Sequence, residues 1–271
     1  MRAIQVTHHG GPEVLNYGTV DDPIPAPDEV IARTSAIGVN FIDTYLRRGM
    51  YPSTPPYVPG TEGAGEIVAV GSEVTDFEPG QRISWVDAPG SYAELVAVRS
   101  ARAIPVPDGV PDVVAGSTML RGLTAHYLLD GSAHPRSGDT VLVHAGAGGV
   151  GLVLTQLAKK RGLTVITTVS SDEKAELSAG AGADHGERTD GDIVAKAGGV
   201  VDHGGGVNAV VPALAGVEQG GQARHHVARP RCDDGGLQPQ RLPVGPVPDQ
   251  RGARRALRLG GVVGLARRLL G

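Results

Sequence analysis

Residues 140–151 read Thr-Val-Leu-Val-His-Ala-Gly-Ala-Gly-Gly-Val-Gly, and few folds accommodate such a run. Thr140 to His144 is a short β-branched apolar stretch, the pattern of a parallel strand buried on both faces. Gly146, Gly148 and Gly151 follow at G-x-G-x-x-G spacing. Val150, Val153, Leu154, Leu157 and Ala158 then share one face of a helix predicted over 150–161. Strand, glycine turn and helix stand in the order that dinucleotide binding requires. The first glycine permits a tight turn, the second a close approach of a pyrophosphate, and the third close helix packing. The helix N-terminus offers unpaired N–H groups and the positive end of its dipole to phosphate. In a chain with 41 glycines the spacing alone carries little, and its place between strand and helix carries the argument.

Around this run the chain changes character twice. Residues 1–122 are rich in short β-branched or alternating runs, at Ala3–Thr7, Glu29–Val39, Gly65–Val70, Arg82–Val86 and Tyr92–Val98. Pro/Gly turns separate them, as expected of a small barrel or sandwich. A helical turn is predicted over Phe41–Arg48, a helix from Pro111 to Met119 and another from Gly122 to Leu129. From Asp139 strands and helices alternate, with a strand at Thr164–Val169 and a helix at Asp172–Ala179 capped by Ser171. After Asp184 the pattern decays. Ile193–Lys196 reads as a possible helix, Val207–Val211 as a strand, and Ala253–Leu270 as a basic amphipathic segment broken by glycines.

Composition sharpens the second break. All nine aromatic residues lie between Tyr17 and Tyr127. From Ala223 to Gly271 there are ten Arg, no Lys, three Asp and no Glu. Rings supply much of the buried area of folded α/β segments, so the last third is a different kind of sequence. The domain expectation is therefore a β domain over 1–122, a partial dinucleotide-binding domain over 123–211 and an irregular Arg/Gly/Pro-rich tail over 212–271. A net charge of −4 argues against a nucleic-acid partner, and the Arg-rich end has neither Lys nor aromatics to make it one. No run of 18 apolar residues and no opening signal segment occur, so a cytoplasmic protein without membrane contact is expected. The single cysteine, Cys232, excludes an internal disulfide.

Cofactor choice is read about 20 residues past the glycine turn, where an NAD-preferring fold carries Asp or Glu. Here stand Ser170, Ser171 and, one helical turn on, Lys174. Hydroxyls and a cation suit a 2′-phosphate, which favours NADPH over NADH. The plainer alternative makes Ser171 a helix cap and Lys174 a solvated lysine.

Six segments in consistent order carry a family resemblance. They are Gly38-Val-Asn-Phe-Ile-Asp-Thr-Tyr45, Arg47-Arg-Gly-Met-Tyr51, Pro59-Gly-Thr-Glu-Gly-Ala-Gly65, Gly90-Ser-Tyr-Ala-Glu94, Arg121-Gly-Leu-Thr-Ala125 and His144–Gly151. Together they resemble the zinc-independent, zeta-crystallin-like quinone oxidoreductase branch of the medium-chain dehydrogenase/reductase superfamily. The likeness runs from Met1 to about Asp184. It implies an α/β protein, with a GroES-like β-barrel domain and a Rossmann-type parallel-sheet domain whose C-terminal part is incomplete or disordered. It implies NADPH as cofactor, a quinone or similar enone as substrate, hydride transfer without metal, and a homodimer. Zinc-dependent relatives place a Cys near Asn40 and a His-Glu pair at Thr61-Glu62.

The resemblance also assigns roles. Asn40, Tyr45 and Tyr51 stand where the family places groups beside the reacting atoms, with Tyr51 at the substrate mouth. Phe41, Ile42, Asp43, Thr44 and Tyr45 match the segment lining the nicotinamide. Thr124 and Tyr127 match residues beside the nicotinamide and its phosphate arm. Gly148, Gly149 and Val150 would hold the pyrophosphate, and Ser170, Ser171 and Lys174 the 2′-phosphate. Each has a structural reading beside it. Tyr45 and Tyr51 can be surface aromatics, Asn40 a turn residue, Asp43 a complement to the helix dipole and Thr124 a helix cap.

Beyond Asp184 the likeness fails. His185-Gly-Glu-Arg-Thr189 lacks the family's tyrosine near the cofactor phosphate, and the later landmarks are absent apart from a trace at Gly206–Val210. Loss of aromatics, Lys and Glu suggests translation in a shifted frame of a GC-rich gene. The alternative function is accordingly a non-catalytic or frameshifted derivative that retains at most weak nucleotide binding.

Overall fold

A computed structural model describes residues 1–188 and 209–212. The described residues fall into two compact units, Met1–Leu120 and a second that begins at Arg121. The expected segments at 193–196 and 253–270 and the expected tail lie outside the described residues.

The first unit is built on antiparallel strands. β1 (Arg2–Val6) and β2 (Leu15–Thr19) form a hairpin. β3 (Glu29–Gly38), β4 (Glu62–Val70), β5 (Arg82–Trp85), β6 (Leu95–Arg99) and β7 (Ala103–Pro105) form a sheet in the order β6-β3-β4-β5-β7. Val30, Ala32, Ile67, Ile83, Val96 and Val98 point to one side and pack around Trp85, which is fully buried. The Trp85 indole donates to Ser91 Oγ at 3.0 Å, so its only polar group is satisfied inside the core. Helix α1 (Phe41–Arg47) follows β3. β2 and β7 are not foreseen from sequence: β2 is exposed throughout and β7 is three residues long, so neither shows an alternating pattern.

Helix α2 (Asp112–His126) is one element where two were predicted. Gly122 does not break it, because a glycine inside a helix costs only about 1 kcal/mol against alanine, which packing outweighs. Thr124 therefore sits well inside a helix and is no cap. A π-helical stretch, Tyr127–Ala133, extends α2.

The second unit holds the strand–helix alternation: β8 (Thr140–His144), α3 (Gly149–Lys160), β9 (Thr164–Val169), α4 (Asp172–Gly180), β10 (His185–Arg188) and β11 (Ala209–Pro212). The four strands pair in parallel in the order β10-β9-β8-β11. That order reverses at β8, the arrangement of a doubly wound sheet with its switch point at the β8/β11 pair. Val141, Val143, Val165 and Leu154 pack with Leu128 and Leu129 of the π-helical stretch. The predicted apolar face of α3 is the buried one, with Leu154 and Ala158 in the core and Val150, Val153 and Leu157 packed against it. β10 and β11 both continue the sheet past Asp184, where the recognisable sequence likeness fails. Among the described residues no helix is long and apolar enough to cross a membrane.

Candidate functional site

In the second unit the glycine turn sits at the carboxyl end of β8. Ala145, not a glycine, takes the left-handed conformation there, with φ +54°. Gly146, the first glycine of the spacing, is not left-handed. Gly146 is needed for space instead: a Cβ on it would lie 2.4 Å from Thr167 Cβ of the neighbouring strand. Gly151 meets the same limit against the turn itself. Its Cβ would lie 2.4 Å from the Ala145 carbonyl oxygen and 2.8 Å from that of Gly146. Helix α3 thus packs directly on the turn that precedes it.

Gly148 and Gly149 are exposed, while Gly146 and Gly151 are buried. Gly148 is the N-cap residue and carries no capping side chain. The N–H groups of Gly149, Val150 and Gly151, in the first turn of α3, lack intrahelical acceptors by geometry. Arg121 of α2 lies against this opening: a Cβ on Gly149 would come within 2.9 Å of Arg121 Nε. A cation, free helical N–H groups and two side-chain-free residues therefore share one surface. This is the donor set that an anionic diphosphate requires, and no Cβ obstructs it. Sequence reasoning assigned Arg121 no role, although it opens one of the six matched segments.

One strand over, β9 ends at Val169 and Ser171 caps α4 by accepting the Lys174 N–H at 3.3 Å. The capping reading of Ser171 is therefore realised. Lys174 Nζ donates to Ser170 Oγ at 2.8 Å, and both side chains are exposed. A hydroxyl and an ammonium are thus held together at the strand end, with Asp172 and Glu173 in the first turn beside them. Thr124 shares a helix face with Arg121, at i, i+3. Tyr127 opens the π-helical stretch and is exposed.

His144, the last residue of β8, is half-buried, and burial lowers its pKa, so the ring is neutral at pH 7. Its Nδ1 lies 3.1 Å from Thr168 Oγ1.

In the first unit, Asn40 caps α1 from an extended conformation. Asp43, at the third helical position, accepts the Asn40 N–H at 2.9 Å through Oδ2. The Tyr92 hydroxyl donates to the same oxygen at 2.7 Å. Burial, reinforced by this bond to Asp43, raises the Tyr92 phenol well above its ordinary value. Asp43 is buried, so its position is structural as well as dipole-matched.

Glu62 is the residue that sequence reasoning missed here. It is fully buried. Its Oε2 accepts from Asn40 Nδ2 at 2.7 Å and its Oε1 accepts the Leu120 N–H at 2.7 Å. One Asn40 amide proton is thus already committed. Gly38 is glycine because a Cβ there would lie 2.1 Å from Glu62 Oε2. The available signal was an acidic residue directly before the small-residue run Gly63-Ala-Gly65.

Phe41, Tyr45 and Tyr51 form an edge-to-face chain with ring centroids 5.2 and 5.5 Å apart. Phe41 (65% exposed), Ile42 (41%), Met50 (50%) and Tyr51 (43%) make it an open apolar surface. Thr44 turns its hydroxyl back to the Phe41 carbonyl at 2.7 Å. The site residues predicted over 40–51 therefore cluster on one segment, with the aromatics outward and the polar pair inward.

A family model for the alcohol dehydrogenase GroES-like domain matches residues 26–108. The chain is 48% identical over 186 residues to a quinone oxidoreductase of Pseudomonas aeruginosa, covering 67% of this chain and 57% of that one. A solved quinone oxidoreductase of Escherichia coli, complexed with NADPH, superposes with a TM-score of 0.72 at 35% identity, covering 74% of this chain and 62% of that one. The quinone oxidoreductase of Coxiella burnetii superposes with a TM-score of 0.70 at 30% identity, covering 80% and 69%. The chain spans little more than half the length of the curated relatives it matches.

Proposed function

Because the chain belongs to the quinone oxidoreductase branch of the medium-chain dehydrogenase/reductase superfamily, we propose that it binds NADPH and reduces a quinone or similar activated enone. The observation that carries this reading is the turn at Ala145–Gly151: exposed Gly148 and Gly149, free first-turn N–H groups and the Arg121 side chain on one surface. When bound, NADPH supplies the hydride.

The chain's own residues bind, orient and exclude water. Gly148, Gly149 and Val150 hold the pyrophosphate through backbone N–H groups. Ser170, Ser171 and Lys174 hold the 2′-phosphate, with Lys174 as the charged partner. In the first unit Phe41, Ile42, Asp43, Thr44 and Tyr45 shape the nicotinamide side, and Tyr51 flanks a flat substrate. The Tyr45 hydroxyl, or the Asn40 amide proton not given to Glu62, donates to the oxygen on which charge develops. A quinone spreads that charge over its oxygens and needs little further acid help. Thr124 and Tyr127 complete the cofactor contacts. In this reading residues 1–122 form the substrate domain and residues from 123 the cofactor domain.

The test mixes purified full-length protein with NADPH and a quinone and follows absorbance of the reduced cofactor. Loss of signal supports the reading, and Tyr45→Phe together with Asn40→Ala slows it. No turnover, with NADPH still raising the melting temperature, leaves a nucleotide-binding protein without this activity. The absence of both turnover and a thermal shift overturns the reading.

A further inference from the structure

We propose that Thr168, inside β9, is the positioning residue for the glycine turn, and that its hydroxyl holds the backbone on which the pyrophosphate rests. This rests on the dinucleotide reading given above. Thr168 is 1% exposed, so it touches no ligand itself. Its Oγ1 accepts the Ala145 N–H at 3.2 Å, and its carbonyl oxygen accepts the Gly146 N–H at 3.0 Å. The same Oγ1 lies 3.1 Å from His144 Nδ1. One residue of the neighbouring strand thus grips three consecutive residues, His144, Ala145 and Gly146.

The grip matters because of what it holds. Ala145 has φ +54°, a conformation that a residue with a Cβ adopts only when its surroundings impose it. The Ala145 carbonyl then accepts the Gly148 N–H at 2.8 Å, and Gly151 packs against that same carbonyl. The position of the α3 N-terminus is therefore passed from Thr168 through Ala145 to Gly148. The glycines supply room in this chain of contacts, and Thr168 supplies the direction. Thr167 supports the arrangement from the next position. It stands against Gly146, and its Oγ1 accepts from the Ser178 hydroxyl at 2.9 Å.

Thr168→Val keeps the β-branched shape and removes only the hydroxyl; Thr168→Ser keeps the hydroxyl. With Val the Ala145 N–H loses its acceptor in a half-buried place. Two measurements are made on each full-length protein: NADPH affinity by fluorescence titration, and amide hydrogen exchange of the 143–151 segment without nucleotide. The expected result is a roughly five- to tenfold weaker NADPH affinity for Thr168→Val, faster exchange at Ala145, and near wild-type values for Thr168→Ser. In turnover the change falls on the KM for NADPH and spares kcat, since the hydroxyl touches no reacting atom. Unchanged affinity in Thr168→Val overturns the proposal while wild-type binding upholds the cofactor reading. If the wild type binds no NADPH, the cofactor reading fails, and exchange alone decides whether Thr168 holds the turn: equal exchange in Thr168→Val refutes it.

Discussion

Replacing Gly151 by Ala adds one methyl group where the structure has no place for it. The new Cβ would stand 2.4 Å from the Ala145 carbonyl oxygen and 2.8 Å from that of Gly146. Carbon–oxygen contacts settle near about 3.3 Å, so the helix start and the turn must separate by roughly 0.9 Å. Both neighbours are backbone, and no side chain can rotate away to relieve the contact. Overpacking of this kind costs about 1–3 kcal/mol, and alanine's better helix propensity returns up to about 1 kcal/mol. With that full return the net loss is up to about 2 kcal/mol, which lowers the melting temperature by up to about 8 °C. The effect on ligand is larger. A donor at about 2.9 Å that retreats by this distance no longer makes a hydrogen bond. Loss of one bond to a charged group is worth about 1.5–3 kcal/mol, or roughly 10- to 100-fold in NADPH affinity. Gly180→Ala, at the end of α4, is the control, because nothing lies within 4 Å of its added Cβ. It should melt at or slightly above the wild-type temperature and bind NADPH unchanged. A Gly151→Ala protein that binds NADPH within twofold of wild type and melts at the same temperature would refute the packing argument.

Arg121→Met should weaken NADPH roughly five- to tenfold and reduce the salt dependence of binding, read by titration at two ionic strengths. Lys174→Met should lower the NADPH affinity roughly tenfold and leave NADH affinity in place, so the preference between the two narrows. Asp184 gives a pH prediction. Burial opposes its ionisation, but the Lys159 ammonium at 2.8 Å and the Val165 N–H at 2.7 Å outweigh this and hold the carboxyl below its usual range. A depressed carboxylate stabilises the fold above its unfolded pKa, about 3.9, and that contribution is lost as pH falls through the folded value. Asp184→Asn should therefore be less stable than wild type in urea at pH 7, with the gap narrowing as pH falls below about 3.9 toward the depressed folded value.

The Rossmann half was largely legible in the sequence, and the reason is local. β8, β9 and the buried face of α3 are written in unbroken apolar runs and 3.6-residue periodicity, which short stretches of chain carry by themselves. The glycine spacing marked the turn, but it gave no sign that Ala145 is the left-handed residue. Ala145 takes that conformation because Thr168, 23 residues later, bonds the backbone around it. The join of two predicted helices into α2 had the same origin, since tertiary packing overrides the propensity of one glycine.

The first unit divides in the same way. Asn40–Tyr45 and Tyr51 stood out by resemblance, and the capping role of Asn40 and Asp43 follows from their spacing at a helix start. Glu62 did not stand out, because its part depends on partners 22 and 58 residues away, Asn40 and Leu120. The sequence by itself determined the strand, glycine turn and helix of β8–α3, most of the longer strands, and where an anion can meet backbone N–H groups. Only the tertiary structure decided which side chains hold those groups in place. Periodicity and spacing encode contacts a few residues apart, whereas Thr168 on Ala145, Arg121 beside Gly149 and Glu62 on Asn40 arise only when distant strands and helices close on one another.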